Sequence, residues 1–234
     1  MFVRYSLRTV EIDAARAFYR DAVGLALPDG ASEGSALESW PLHERARAAG
    51  APPHWLGHVE TQDVEATAAR LVELGAQALG PSVTTRDGVA YATVRDPFGA
   101  VVSVRGEGLG ARHAPVAWHH LHSADADGSW RVYSELFGWV EAGRIEAPDL
   151  EGGHRLFAWT AGGAPVGSVA NTARWPGVHA HWLFHFPVAD VEAAARRVRE
   201  LGGTAMGVVE LTGGARVTAC EDPQGAAFGL LQRG

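Results

Sequence analysis

Three histidines have the spacing that a binding site built on β-strands would need. His120 and His122 are separated by one residue, so both side chains lie on one face if this segment is a strand. His185 lies in a second segment of alternating pattern. Imidazole is a common ligand of zinc, iron and nickel, and three such donors could hold one ion. The alternative is that the rings line a pocket, hydrogen-bonded to neighbours, water or a bound molecule.

Two tryptophans could add an apolar wall to this site. Trp118 precedes His120 by two residues, and Trp159 lies in another segment that we expect to be a strand. Aromatic walls with few polar groups suit a flat or apolar small molecule. Packing in the hydrophobic core is the alternative for both tryptophans. The predicted ligand-binding residues are Trp118, His120, His122, Trp159 and His185.

These residues belong to a sequence that repeats itself. The segment 63–75 recurs as 190–202, and the Asp-Pro-x-Gly segment at Asp96 recurs at Asp222. Markers in the same order at a similar offset indicate a duplicated domain. We therefore expect one domain in residues 1–110 and a second in residues 111–234, with the first copy shortened between Gly24 and Pro52.

Local patterns predict the elements that position the site. Apolar stripes preceded by an acidic residue and followed by glycine, as between Asp63 and Gly75, indicate amphipathic helices. The segments before these helices alternate as half-buried strands do. The Asp-Pro-x-Gly segments are typical β-turn sequences within hairpins. We expect these turns to be structural and Asp222 to be solvated.

The succession of strand, helix and three strands resembles the vicinal-oxygen-chelate superfamily, which includes glyoxalase I, bleomycin-resistance proteins and extradiol dioxygenases. The resemblance is carried by segment 18–25, its counterpart 133–139 and both Asp-Pro-x-Gly hairpins. It covers essentially the whole chain. It implies an α+β fold in which paired βαβββ modules curl into an eight-stranded cup, with one cup in each half.

The same resemblance implies where a metal would bind. Metal-using members hold a divalent ion in the cup through His or Gln on first strands and Glu on last strands. The corresponding first-strand positions here are Arg4, Leu56, Trp118 and Leu183, and the last-strand positions are Ser103 and Gly229. None of these is a histidine or a carboxylate. We therefore expect no metal cofactor. We also expect Arg4 and Arg8 to pair with Glu60, with binding of an anionic ligand as the alternative.

A different register leaves a metal site open as the alternative. A shift of two residues would bring His58, His120 and His185 into the ligand positions. A divalent ion (zinc, iron, nickel or manganese) would then be held by His120, His122 and His185, and would act as a Lewis acid on its substrate.

Composition restricts the partners. The net charge of −7 argues against nucleic acid, because phosphate binding needs a concentrated basic surface. There is no apolar run long enough to suggest a membrane span. The single cysteine, Cys220, excludes an internal disulfide and suggests the cytoplasm. We expect a small-molecule ligand and no membrane partner, with a homodimer as an alternative to a monomer.

The function that we expect is metal-independent binding of an aromatic or apolar small molecule in the second cup. The shortened first half should leave its own cup open, because a sheet that lacks a strand has an uncovered edge. A metal-dependent lyase, isomerase or dioxygenase is the first alternative. A structural or interaction protein without catalysis is the second. Whether the protein is an enzyme stays open.

Overall fold

The computed structural model describes residues 1–30, 35–85, 88–107, 115–211 and 213–234. In these residues the chain forms sixteen β-strands, five α-helices and a short 3-10 helix at Asn171–Arg174. The strands of the first half are β1 (Phe2–Thr9), β2 (Leu37–Pro41), β3 (His54–Thr61), β4 (Gln77–Ala78), β5 (Val83–Thr84), β6 (Ala90–Arg95) and β7 (Val101–Gly106). Those of the second half are β8 (Trp118–His122), β9 (Val140–Ile145), β10 (His154–Ala158), β11 (Gly167–Ala170), β12 (His181–Pro187), β13 (Thr204–Ala205), β14 (Val209–Glu210), β15 (Arg216–Glu221) and β16 (Ala227–Gln232).

The predicted amphipathic helices are confirmed, and one short helix is added. The helices are α1 (Ile12–Val23), α2 (Glu44–Ala48), α3 (Val64–Glu73), α4 (Ala126–Phe137) and α5 (Val191–Glu200). Asp63 and Asp190 cap α3 and α5 by accepting the backbone N–H three residues later. Gly24 and Gly138 follow α1 and α4 with φ of 72° and 65°, a left-handed conformation that glycine adopts without strain. The additional short helix, α2, lies in an Ala-rich segment between β2 and β3.

The α+β class and the tandem modules are confirmed by two mixed sheets, of seven strands in the first half and nine in the second. Between α4 and β12 the second half has three strands, whereas the first half has only β2 between α1 and β3 among the described residues. The first copy is therefore the shorter one. The count of nine exceeds the expected eight because the strand before β15 is broken into two short pieces, β13 and β14, which both pair with β15.

Helices of these described residues cannot cross a bilayer, because none is both long and apolar enough.

Backbone packing divides the chain into two compact units. Unit 1 comprises the described residues within 1–3, 57–111 and 119–182. Unit 2 comprises those within 4–56, 112–118 and 183–234. The boundary that we expect between residues 110 and 111 lies outside the described residues, so the division into domains stays a prediction.

Unit 1 contains a buried hydrogen-bonded set that joins a strand, a helix and a turn. The indole Nε1–H of Trp182 donates to the hydroxyl of Tyr133 at 3.1 Å, and this hydroxyl donates to Oδ2 of Asp96 at 3.0 Å. Oδ1 of Asp96 accepts the backbone N–H groups of Phe98 and Ala100, both at 2.9 Å. The aspartate of the Asp-Pro-x-Gly turn therefore closes its own turn and also binds α4.

Unit 2 has the same three residue types, Trp55, Tyr19 and Asp222, but its set is incomplete. Trp55 donates to the Tyr19 hydroxyl at 2.9 Å, and Oδ1 of Asp222 accepts the N–H of Gln224 at 2.8 Å. Oδ2 of Asp222 makes no hydrogen bond to a residue that the structure describes. The expectation that Asp222 is solvated is wrong, since it is only 3% exposed. Burial raises the pKa of Asp222, and backbone hydrogen bonds of its turn oppose the rise.

We predict that Tyr133→Phe destabilises the protein by about 1–3 kcal/mol, because it leaves the buried Oδ2 of Asp96 without its donor. Urea denaturation of the native and variant proteins measures the difference. Tyr91→Phe is the matched control, because Tyr91 is a half-buried tyrosine that belongs to neither set. Equal losses in the two variants would contradict the role of the Tyr133 hydroxyl.

Candidate functional site

Five histidine rings of unit 1 follow one another in contact, and we call them the histidine row. The centroid distances are 5.4 Å from His154 to His120, 4.3 Å from His120 to His122, and 4.5 Å from His122 to His181. His179 follows His181 at 4.9 Å. The row runs from the exposed His179 through the half-buried His181 and His122 to His120, which is 7% exposed, and ends at the half-buried His154. It therefore connects the surface with the interior.

Hydrogen bonds fix the orientation of three rings in the row. Nδ1 of His120 is 2.7 Å from the hydroxyl of Ser168, on the neighbouring strand β11. Nδ1 of His122 is 2.7 Å from the hydroxyl of Thr172. Nδ1 of His181 is 2.8 Å from the carbonyl oxygen of His179. Anchored rings lose little further freedom when a ligand stacks on them, which favours binding.

The pKa values of two histidines in the row are lowered, which disfavours their protonation. Burial lowers the pKa of His154 below its usual value. Burial also lowers the pKa of His181, together with repulsion from His179, against a hydrogen bond to the backbone of His179. Both shifts favour the neutral form of these two rings. A neutral imidazole suits a neutral aromatic molecule better than an ion.

Strand alternation places the predicted residue Trp159 on the opposite side of this sheet. His119, next to His120 in β8, stacks on Phe2 with ring centroids 5.2 Å apart. Trp159 lies 5.2 Å from His119 and 5.0 Å from Trp139, within this aromatic cluster. Nδ1 of His119 is 2.8 Å from the carbonyl oxygen of Val166, which satisfies a polar ring in an apolar layer. The structure thus brings His120 and His122 together and places Trp159 on the other face.

The remaining predicted residues, Trp118 and His185, belong to unit 2. Trp118 begins β8 and is half-buried. His185 lies in β12, is 7% exposed, and its cross-strand partner in β16 is Gly229. A Cβ atom at Gly229 would lie 2.2 Å from Cδ2 and 2.6 Å from Nε2 of the imidazole. The ring therefore lies against the backbone of Gly229, where only glycine leaves room for it.

His185 also carries an unsatisfied polar atom. Its buried Nδ1 makes no hydrogen bond to any residue that the structure describes. Burial lowers the pKa of His185 to about 4, against smaller opposing effects of the backbone of Trp118 and Leu183. A buried polar atom without a partner is unusual in folded proteins and calls for an explanation.

The strand register differs by two residues from the expected one. The cross-strand partners of Ser103 and Gly229 are His58 and His185, and not Leu56 and Leu183. The spacing of alternating residues determines which face a side chain occupies, but it does not determine which residue stands opposite. In both halves a buried histidine of a first strand therefore faces a small residue of a last strand.

The set of side chains with which the family binds a divalent metal is incomplete at the last-strand positions. The last-strand positions, where metal-using members have a carboxylate, are Ser103 and Gly229, and neither supplies one. Throughout the described ranges, no three histidine, cysteine or carboxylate side chains are grouped so that they could hold an ion. Transition-metal sites need several converging donors.

Arg4, at another of the mapped positions, forms a buried ion pair in unit 2. Its Nη1 is 3.0 Å from Oε2 of Glu38, and the Ser6 hydroxyl donates to the same carboxylate. Glu38 is 3% exposed and Arg4 is 7% exposed. The expected pairing of Arg4 with Glu60 is thus replaced by one with Glu38, which lies in β2 directly opposite Ser6. The first-strand position of Arg4 is therefore occupied by a guanidinium group that already pairs with the carboxylate of Glu38.

The sequence-based prediction missed three members of the histidine row. His179 and His181 have the same one-residue spacing as His120 and His122, and this repetition was the available signal. His154 stands at the start of β10 without a comparable pattern. Only the strand pairing of β10 with β11, and of β11 with β8, brings it to His120.

A family model described as the glyoxalase/bleomycin resistance protein/dioxygenase superfamily matches residues 2–104 and 116–230. The chain belongs to this superfamily. The two matched stretches correspond to the two copies of the repeat, so the resemblance inferred from the motifs is confirmed. A Mn(II)-bound glyoxalase from Novosphingobium aromaticivorans has the same fold, with a TM-score of 0.66 and 15% identity over 99% of this chain and 81% of that one.

Two relatives are similar in sequence. CFP32 of Mycobacterium bovis, which carries the name of a glyoxylase, is 26% identical over 97% of this chain and 92% of its own length. The anthracycline biosynthesis protein DauV of a Streptomyces strain is 30% identical over 50% of this chain and 46% of its own length.

We predict that Gly229→Ala destabilises the protein by about 1–3 kcal/mol, because the new methyl group would overlap the ring of His185. Thermal or urea unfolding measures the loss. Gly207→Ala, in the same unit, is the control, since a Cβ there meets no atom within 4 Å. A control loss as large as that of Gly229→Ala would contradict the close packing of His185 on Gly229.

We predict that His185 makes the protein less stable in mild acid. Its pKa is about 4 in the folded protein and 6.5 otherwise, so the unfolded chain alone takes up a proton between these values. Stability is therefore complete above pH 6.5 and falls towards pH 4, by about 3 kcal/mol from this residue. Denaturation of the native protein and His185→Phe at pH 7.5 and pH 4.5 should give a smaller loss in the variant. Equal losses in both proteins would contradict the prediction.

Proposed function

We propose that the protein binds a neutral aromatic or apolar small molecule and needs no metal to do so. The observation that carries the proposal is the histidine row, a continuous surface of anchored imidazoles between the exterior and the interior of unit 1. Aromatic ligands stack on such rings at the distances that separate the rings of the row. His120 and His122 would contact the ligand directly, and Trp118 and His185 are proposed as further ligand-binding residues.

Three further observations support a binding function. Ser103 and Gly229 stand where a metal-binding carboxylate would be expected. The similarity to a protein named for anthracycline biosynthesis favours a polycyclic aromatic ligand, since anthracyclines are compounds of that class. The family itself includes bleomycin resistance proteins.

A metal-dependent reaction is the second candidate. It is favoured by the fold of the Mn(II)-bound glyoxalase and by the glyoxylase name of CFP32. In this alternative the protein would use a divalent ion and would be a lyase, isomerase or oxidoreductase. Elemental analysis of untagged protein separates the two candidates. One equivalent of bound transition metal would contradict the metal-independent proposal.

The partners and the cellular location follow from the same reasoning. The net charge of −7 disfavours nucleic acid, and the expected partner is a small molecule. A cytoplasmic location stays a prediction from the single cysteine. Light scattering would distinguish a monomer from a homodimer. The proposed domains are residues 1–110 and 111–234, the two copies of the repeat.

We predict that 1-naphthol and daunorubicin raise the melting temperature of metal-free protein. A ligand at 100 times its dissociation constant adds about 2.7 kcal/mol, or roughly 5–10 °C for a chain of this size. His122→Ala should reduce the shift, because it removes a central ring of the row. His43→Ala is the control, since His43 only caps α2. The absence of a shift with every aromatic probe, together with metal-dependent turnover, would refute the proposal.

A further inference from the structure

Two neighbouring rings of the histidine row are held by hydroxyl groups from β11 and from the 3-10 helix that follows it. Ser168 is the cross-strand partner of His120, and its hydroxyl is 2.7 Å from Nδ1 of this ring. The cross-strand partner of His122 is Ala170, which has no polar atom in its side chain. The ring of His122 is instead contacted by Thr172, whose Oγ1 lies 2.7 Å from Nδ1. The chain reaches this ring because it turns into the 3-10 helix directly after Ala170.

Hydrogen bonds at both ends fix the 3-10 helix within unit 1. Oδ1 of Asn171 accepts a backbone N–H at the start of α4 at 2.8 Å. Nε of Arg174 donates to the carbonyl oxygen of Ala124 at 2.7 Å. Between these anchors Thr172 is 2% exposed, and among the described residues its hydroxyl bonds to His122 alone. A buried hydroxyl on an anchored backbone can hold a ring in one orientation.

We infer that Thr172 is a positioning residue of the histidine row: its hydroxyl donates to Nδ1 of His122 and fixes both the ring and its tautomer. This inference rests on the binding function proposed above, because it concerns a ring on which the ligand would stack. The buried hydroxyl has no other acceptor among the described residues, which makes it the donor in this contact. In a neutral imidazole the nitrogen that accepts a hydrogen bond carries no proton, so the proton of His122 lies on Nε2.

The orientation of His122 affects the whole row because this ring lies at its centre. The ring centroid is 4.3 Å from that of His120 and 4.5 Å from that of His181. The planes of His122 and His181 are inclined by only 19°, so the two rings are stacked. A ring that rotates freely must be ordered when a ligand stacks on it, and this ordering reduces the affinity. Thr172 therefore contributes to the affinity through His122 and not through a contact with the ligand.

Removal of the hydroxyl with little change of shape tests the positioning role. Isothermal titration calorimetry should show that Thr172→Val binds 1-naphthol about threefold to tenfold more weakly than the native protein, equivalent to about 0.7–1.4 kcal/mol. Thr172→Ser keeps the hydroxyl and should keep the native affinity. Thr67→Val is the control, because the Thr67 hydroxyl is bonded to the carbonyl oxygen of Asp63 and to the hydroxyl of Thr61. This control should bind as the native protein does.

The imidazole nitrogen-15 resonances of His122 give a readout that a loss of stability alone would not change. In mildly alkaline solution the native protein should show Nδ1 without a proton and Nε2 with one. In Thr172→Val the two resonances should move towards each other, because no donor favours one tautomer, and in Thr172→Ser they should keep their native positions. A proton on Nδ1 in the native protein, or native resonances in Thr172→Val, would overturn the inference. The native measurement decides the case in which Thr172→Val does not fold.

The outcomes separate the positioning role from the function on which it rests. If the native protein binds no aromatic probe, the proposed function fails, and the resonances of His122 still decide whether Thr172 fixes the ring. If the native protein binds 1-naphthol and Thr172→Val binds it equally well, the positioning role is refuted and the proposed function is kept.

Discussion

The fold depends on a buried carboxylate in the turn of each compact unit. Asp96 and Asp222 close the Asp-Pro-x-Gly turns and are each 3% exposed. An ionised carboxylate out of water is unfavourable unless several donors surround it. Each turn supplies backbone N–H groups to Oδ1, and the Tyr133 hydroxyl of α4 also donates to Oδ2 of Asp96. In unit 1 the turn, the helix and the tryptophan-bearing strand are therefore held together by one buried group.

Strand β8 carries different side chains on its two faces. In β8, His119 points to the aromatic cluster beside Trp159, while its neighbour His120 points to the histidine row. Successive side chains of a strand point to opposite faces. A residue of the polar face therefore cannot reach the apolar face unless the whole strand moves. Burial lowers the pKa of His154 and His181, the two rings that pack against His120 and His122.

Much of the fold could be predicted from the sequence, because helices and turns are specified locally. The aspartate caps, the glycines after α1 and α4 and the two hairpins need only neighbouring residues. The errors concern partners that are distant in sequence. Asp222 was expected to be solvated because its turn does not reveal Tyr19, and Arg4 was assigned to Glu60 because β2 was not recognised as its neighbour. Strand periodicity predicted the faces of His120 and His185 but left the register of the facing strands two residues off.

The two copies of the repeat do not coincide with the two compact units, because each unit contains residues of both copies. Asp96 belongs to the first copy and Tyr133 to the second, whereas Asp222 belongs to the second and Tyr19 to the first. The first copy alone would therefore keep a buried carboxylate, Asp96, whose tyrosine donor lies in the second copy. A lost hydrogen bond to a buried charged group is among the more costly single defects in a folded protein. Duplication thus produced two similar sequences, of which the first depends on the second for the donor of its buried carboxylate.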